Sequence, residues 1–395
     1  MKRKYSLWFV VTLMLFASAL TWAGMVIIVG FPFGPFSNRS DAVRDYASLL
    51  IRIEDSFIGE YDMDAVSTAA KRAAVAALND EWSFYMTAEE FARSRDSAHN
   101  RYEGIGVMVS TDEQTQNFQI TYVFRGSPAE ESGILSGDII IAVDGNYTKG
   151  MTIAQLGDLL SRPLGNTAEL TIERMDGCLE IIPVVFRHIF LDPVSFQMLD
   201  DDIGLIRLYN FNEGSARSFI SATNDLIQDG AAALIFDVRG NPGGWVNEVS
   251  DILDFLLPEG EIFVTVDRAG NEFITMSNPY YVDLPMVVIV DRFSFSGAEY
   301  FAAMLSEYGF AEVVGEQTTG KSRMQRVIPL PGGGAINISF AEYLTKNRVS
   351  LHDEGGFTPD HIVPLSEAEL ELLMAGELAL SDDPQVQAAI QILGR

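Results

Sequence analysis

The chain has 395 residues, long enough for two or three domains, and its 48% hydrophobic content makes most of it globular. Lys and Arg number 27 against 55 Asp and Glu, and the net charge of −28 argues against nucleic acid, or an anionic membrane, as a partner recognised through charge. The single cysteine, Cys178, excludes an internal disulfide and a cysteine-based metal site, and it reads as a lone buried thiol.

Lys2, Arg3 and Lys4 precede a stretch without charge from Tyr5 to Asn38. Its apolar part, roughly Tyr5 to Pro32, is long enough to span a bilayer, with the basic tip in the cytoplasm and the rest of the chain outside. Two readings stay open. One is an uncleaved signal anchor, giving a single-pass protein of the cell membrane with everything after the anchor extracytoplasmic. The other is a signal peptide cleaved near Ala17-Ser18-Ala19 or Thr21-Trp22-Ala23, giving a secreted or periplasmic protein. The apolar run through Met25 to Val29 exceeds an ordinary signal core and favours the anchor over residues 1–38.

Residues 39–100 carry apolar residues at helical spacing, and Thr87 caps a third helical pattern, TAEEFARSRDSA. The period changes over 101–189, where GIGVMVS, FQITYVF, DIIIAVDG and AELTIERM read as short strands, with a helix at IAQLGDLLSR. This module resembles a PDZ domain. SPAEESGILSGDIIIAVDG fits that family's pattern, and Gly104-Ile105-Gly106-Val107 would form its peptide-carboxylate loop. Such a module adds an extended peptide to a sheet edge and holds its C-terminal carboxylate on backbone N–H groups. Residues 190–365 alternate strands and helices, which predicts a mostly parallel sheet covered on both faces. A helical tail closes the chain over 366–395. The whole is α/β and multidomain.

The chemistry concentrates in the α/β region. In VIVDRFSFSGAEYFAAML an apolar strand gives way, through a sharp turn, to a helix whose first turn holds Ser296. That places a hydroxyl beside free N–H groups at the positive end of a helix dipole. Ser294 competes for the role, as serine is common at helix starts. None of the four histidines (His99, His188, His352, His361) lies in this segment. Lys321, 25 residues on, can act as base if burial lowers its pKa. DVRGNPGGWVNEV places Gly243 and Gly244 at a strand-to-helix turn, where glycine permits close backbone approach. Gly315 to Ser322 also matches the phosphate loop G-x-x-x-x-G-K-[ST], with ALIFD as an imitation Walker B strand. A phosphate loop requires a helix straight after the lysine, whereas RMQRVIPLPGGG reads as a strand broken by Pro329 and Pro331.

Together these motifs resemble the carboxyl-terminal processing peptidases, PDZ-containing Ser-Lys proteases with a ClpP/crotonase-like core, over nearly everything after the membrane segment. Ser294-Phe295-Ser296-Gly297-Ala298-Glu299 matches their serine-rich segment, and Val313 to Gln325 matches V-V-G-x-x-T-x-G-K-x-x-x-Q. DEWSFYM, GGFTPDHIVPL and DDPQVQAAIQIL match three further segments. The resemblance implies Ser296 as nucleophile, Lys321 as general base and Gln325 as the residue positioning the lysine. It implies the N–H groups of Gly244 and Gly297 as oxyanion donors, and Arg162 as a sensor linking the PDZ domain to activation. It also implies proteins or peptides with exposed C-terminal tails as substrates, a homodimer, and neither metal nor cofactor. In departure, Gly297 stands where the family has Ala and is expected to loosen the nucleophile turn. Pro163 follows Arg162 in place of glycine, and Glu307 stands where some members have Asp. Two other classes remain: a non-catalytic PDZ adaptor with a decayed protease domain, and a nucleotide-binding protein using Gly315 to Ser322.

Overall fold

A computed structural model of the chain describes Trp8, Phe16, Ser18 and residues 37–394, apart from 112–114, 125 and 161. The expected membrane segment lies outside the described residues but for those first three, and among the described residues no helix is long and apolar enough to cross a membrane. The chain divides into two units, residues 1–70 and 71–395. The first holds α1 (Ser37–Ser56) and the start of α2 (Met63–Ala76). In α1, Val43, Tyr46, Leu50 and Ile53 recur at alternating spacings of three and four, the period of one helix face.

In the second unit, β1 (Phe84–Met86) precedes α3 (Ala88–Ala98). Thr87 caps α3: its Oγ1 accepts from Glu90 N, and the Glu90 carboxylate accepts from Thr87 N. A module of β2 (Arg101–Gly104), β3 (Val107–Thr111), β4 (Phe118–Val123), α4 (Pro128–Glu131), β5 (Ile139–Val143), β6 (Asn146–Tyr147), α5 (Ile153–Leu159), β7 (Thr167–Glu173), β8 (Leu179–Val185) and β9 (Arg187–Phe190) follows. Its antiparallel sheet runs β3-β4-β5-β7-β8, with β6 on β5, and β2 pairs with β9. The side-chain period of two is plain in β7, where Ala168, Leu170 and Ile172 alternate into a core shared with Phe118, Ile120 and Leu156 of α5. Cys178 corrects an expectation: it is exposed, because it sits in the tight turn between β7 and β8, its N–H bonded to Asp176 Oδ1.

The remaining elements are β10 (Val194–Leu199), β11 (Ile203–Leu208), α6 (Ser215–Gln228), β12 (Ala233–Asp237), α7 (Val246–Leu256), β13 (Glu261–Asp267), β14 (Glu272–Met276), β15 (Met286–Val290), α8 (Gly297–Glu307), β16 (Ala311–Gly315), β17 (Arg323–Pro329), β18 (Ala335–Leu344), β19 (His361–Ile362), α9 (Glu367–Ala375) and α10 (Pro384–Ile392). The central sheet runs β10-β11-β12-β15-β16-β19, parallel from β11 onward, with β10 antiparallel at one edge. β12 and β15 are buried along their whole length, as strands covered on both faces must be. Leu234, Phe236 and Val288 pack with Phe219, Leu253 and Phe301 of α6, α7 and α8. Ala233, Ile235 and Val287 face Val386 and Ala389 of α10. Each fully buried Val, Leu, Ile or Phe among them contributes about 1.5–3 kcal/mol.

A second, antiparallel sheet runs β1-β18-β13-β14, with β17 also on β18. It was not expected from the chain's alternation of strands and helices. β1 comes from the stretch that reads as helical, yet Tyr85 and Met86 are buried and Phe84–Met86 pairs with Asn337–Ala335.

Candidate active site

The Ser296 turn is built by Asp291, just past β15. Its carboxylate accepts from Gly240 N (2.9 Å) and Phe293 N (3.0 Å). Burial raises its pKa, and these donors oppose the rise. Ser294 is fully buried: its Oγ donates to Val238 O (2.8 Å) and accepts from Asp291 N (3.0 Å), a structural role. Ser296 is partly exposed and precedes the first residue of α8. Its backbone has φ +57° and ψ −119°, a conformation that costs a side-chain-bearing residue about 1–3 kcal/mol. Its Oγ lies 3.3 Å from Tyr343 Oη, and the same phenol donates to the Lys321 carbonyl.

Gly243 and Gly244 meet this turn from β12. A Cβ on Gly243 (φ +83°) would lie 2.6 Å from Gly297 N, and one on Gly244 would lie 2.2 Å from the Phe211 carbonyl carbon. Phe211 brackets the glycines, donating its N–H to Gly243 O (2.9 Å) and accepting from Trp245 N (2.7 Å). Asn241, fully buried, fixes the turn: Nδ2 donates to Leu208 O (2.7 Å), Oδ1 accepts from Gly243 N (2.8 Å), and its carbonyl accepts from Phe295 N (3.1 Å). Among the described residues the N–H groups of Gly244 and Gly297 have no backbone or side-chain acceptor. Gly297 is buried, and a Cβ there would lie 2.8 Å from Val249 Cγ2, so a larger residue fits only if Val249 shifts. The Asp237 and Arg239 half of the motif is structural. Arg239 pairs with Asp237 (2.7 Å) and with Asp383 (2.8 Å), which caps α10.

Lys321 lies in the loop between β16 and β17. Its Nζ is 4.5 Å from the Trp82 ring centroid and 5.6 Å from that of Phe295, and the two rings stack at 5.7 Å. Burial lowers its pKa to about 8, against the opposing charges of Glu299, Asp80 and Glu81. Among the described residues no hydrogen bond joins Nζ to Ser296 Oγ. Glu299, fully buried in the first turn of α8, ties the backbones of Ser296 and Lys321 together. It accepts from Ser296 N (2.8 Å), Lys321 N (2.6 Å), Gly320 N (2.9 Å) and Thr318 Oγ1 (2.6 Å). Burial raises its pKa, and the four donors oppose that rise.

Gln325 is placed differently from the expectation that it positions the lysine. Its Nε2 donates to Arg323 O (2.8 Å) and Ser339 Oγ (3.1 Å), because a register shift between Met324 and Gln325 directs it along the β17–β18 ladder. Glu307 ends α8 and accepts from Asn347 N, not from a site residue. His352 meets the lysine loop, Nδ1 3.3 Å from Gly320 O, but makes no hydrogen bond to Ser296 among the described residues. The phosphate-loop reading fails on geometry. β17 follows Lys321 directly, and the N–H groups of Gly320 and Lys321 that a phosphate would need are held by a carboxylate.

In the module, Gly104 ends β2, Val107 starts β3, and Ile105 and Gly106 form the corner. Gly106 has φ +89°, and a Cβ there would lie 2.2 Å from Ser127 Cβ. The carbonyls of Ile105 and Gly106 are occupied by Ala129 N and Phe124 N, whereas their N–H groups have no acceptor among the described residues. β3 is an edge strand, paired with β4 alone. Arg162 stays within the module, bonded to Asp144 and to the carbonyls of Leu159 and Thr167 (both 3.3 Å). No group of His, Cys, Asp or Glu among the described residues is arranged to hold a metal.

The pattern of peptidase family S41 matches residues 202–363, and that of PDZ domains matches residues 119–174. The carboxy-terminal-processing protease of Bartonella bacilliformis is 30% identical over 299 residues, 73% of this chain and 68% of that one. The chain belongs to the carboxyl-terminal processing peptidases. Carboxy-terminal processing protease CtpA of Bacillus subtilis is 28% identical, over 94% of this chain and 78% of its own. A solved Bacteroides fragilis structure provisionally named an S41 protease shares the fold, with a TM-score of 0.57 at 18% identity over 86% of this chain and 92% of that one. This chain is thus a serine-type endopeptidase with a PDZ domain.

Four residues of this peptidase's site escaped the sequence reading. Asn241 and Glu299 lie inside quoted motifs, and a buried Asn or Glu beside glycines is the signal that marks them. Trp82 lies in the turn before β1, inside the quoted DEWSFYM, and Tyr343 in β18, and no local pattern links either to Ser296.

Proposed function

We propose that Ser296 and Lys321 form the catalytic dyad of an endopeptidase that captures the C-terminal tail of a protein substrate in its PDZ module. The observation that carries this is the meeting of a partly exposed, strained Ser296 with two N–H groups free of protein acceptors, beside a lysine whose amine is walled by aromatic rings. The tail carboxylate is held by the N–H groups of the Gly104–Val107 loop while the chain adds to the edge of β3. Neutral Lys321 takes the hydroxyl proton as Ser296 Oγ bonds to the scissile carbonyl carbon. The N–H groups of Gly244 and Gly297 hold the oxyanion. Collapse breaks the C–N bond, the lysine ammonium returns the proton to the leaving amine, and water then releases the acyl group by the same route. Gln325 enters this scheme only if substrate binding frees its amide from Ser339, and Arg162 only if a bound tail draws it from Asp144.

Anchoring by residues 5–32 on the outer side of the cytoplasmic membrane, or release by cleavage into the periplasm or medium, is part of the proposal. It is supported by the length of the apolar stretch and by Lys2, Arg3 and Lys4. A homodimer rests on the family resemblance. Cleavage of an unstructured protein by wild type, Ser296→Ala and Lys321→Ala tests the dyad. Either variant is expected to lose on the order of 10³-fold or more. Wild-type rates in Ser296→Ala would overturn the assignment and leave the PDZ adaptor reading.

A further inference from the structure

We infer that Trp82 is a positioning residue for the general base, walling the Lys321 amine from water and so favouring its free-base form. The inference rests on the dyad proposed above. Trp82 lies far in sequence from the other site residues, in the strap that leads into β1. That strap is pinned to the second sheet at several points. Asp80 accepts from Arg323 Nη1 (2.9 Å), the Trp82 carbonyl accepts from Asn337 Nδ2 (2.9 Å), and Ser339 N donates to Ser83 Oγ (3.0 Å). The indole is therefore delivered to one place, face-on to Nζ and stacked on Phe295. Its Nε1 is buried and has no hydrogen-bond partner among the described residues, so the ring is held by stacking alone.

A ring face over an amine acts in two opposite ways. It excludes water, which disfavours the ammonium, and its quadrupole attracts the ammonium. Burial is the largest influence on the Lys321 pKa and outweighs the three carboxylates that oppose it; on this inference, water exclusion by the ring exceeds its attraction for the ammonium. The charged and titratable groups facing the amine's surroundings are Glu299 from α8, Asp80 and Glu81 from the strap, Arg323 of β17 paired with Asp80, Tyr343 of β18, and His352 in the loop after β18. Three of these are carboxylates that favour the ammonium, and without the indole little would oppose them. Trp82 thus counters the acidic surroundings of its own strap.

The test is trace acylation of amines on the full chain across pH 6 to 11, with modification of Lys321 read by mass spectrometry. Wild type is expected to show a midpoint near 8. Trp82→Ala should move the midpoint up by at least one pH unit, towards that of a free lysine. Trp82→Phe should hold it, since no hydrogen bond is lost, and Trp82→Leu should hold it if exclusion is what matters. Should Trp82→Ala not fold, Trp82→Gln against Trp82→Leu makes the same comparison. An unchanged or lowered midpoint in Trp82→Ala, or in Trp82→Gln relative to Trp82→Leu, overturns the inference. The pH dependence of kcat/KM should shift in parallel. Repeating the labelling in Ser296→Ala reads the amine without turnover: if the midpoint follows Trp82 there while Ser296→Ala still cleaves at the wild-type rate, the dyad proposal fails and the shielding stands.

Discussion

The PDZ module and the protease core both leave backbone N–H groups without protein acceptors among the described residues, in different ways. In the module the groups are neighbours, Ile105 and Gly106, in a corner whose geometry is local: one glycine with positive φ packed against Ser127. In the core the groups, of Gly244 and Gly297, are 53 residues apart, and buried polar groups hold their turns together. Asn241 bridges Leu208, Gly243 and the Phe295 N–H, and Glu299 bridges Ser296 and Lys321. A recognition loop can be carried by a short segment. The core site, assembled from positions 82, 244, 296, 321 and 343, relies instead on the buried hydrogen bonds of Asn241 and Glu299 to keep its register.

That contrast can be broken at several points. The largest effect is expected at Gly244→Ala, where the methyl would strike the Phe211 carbonyl carbon at 2.2 Å and displace an oxyanion donor. Peptidase kcat should fall about 10²–10³-fold while the tail still binds the PDZ module, and unchanged kcat would remove Gly244 from the oxyanion site. Glu299→Gln keeps the shape but not the charge of the clamp. A loss of about 10–100-fold is expected from weakened charged hydrogen bonds. Because the Glu299 charge raises the lysine's pKa, the acid limb of the pH–rate profile should move to lower pH. A shift to higher pH would show that the carboxylate acts otherwise. Gly106→Val adds a side chain 2.2 Å from Ser127 Cβ and should act on recognition alone. KM for tail-bearing proteins should rise about tenfold, with kcat for a short peptide unchanged. Equal loss on both substrates would mean that the corner supports the core.

Much of this was legible in the chain. ALIFD, MVVIV and AEVVG are apolar runs bounded by turns, because a parallel strand is buried on both faces, and the parallel sheet follows from them. Ser296, Lys321, Gly243 and Gly244 stand in dense motifs, since turn geometry demands particular residues at fixed spacing. The second sheet was not legible. Its strands are half-buried, β1 is three residues long, and it pairs with a partner some 250 positions away. Trp82 and Tyr343 were lost with it. Gln325 shows the converse: a motif specifies the residue, whereas its partner in this structure is set by the local register of β17 and β18.

The most direct test of the dyad is acid quench during turnover of a peptide ester, with the acylated residue mapped by mass spectrometry at successive pH values. Lys321 is neutral above its pKa of about 8 and protonated below it, so the acylation rate should rise as pH climbs through that value. The account predicts acyl groups on Ser296 alone, with this rise abolished in Lys321→Ala. Acylation at Ser294, or a rate on Ser296 that is flat with pH and indifferent to Lys321, would contradict it.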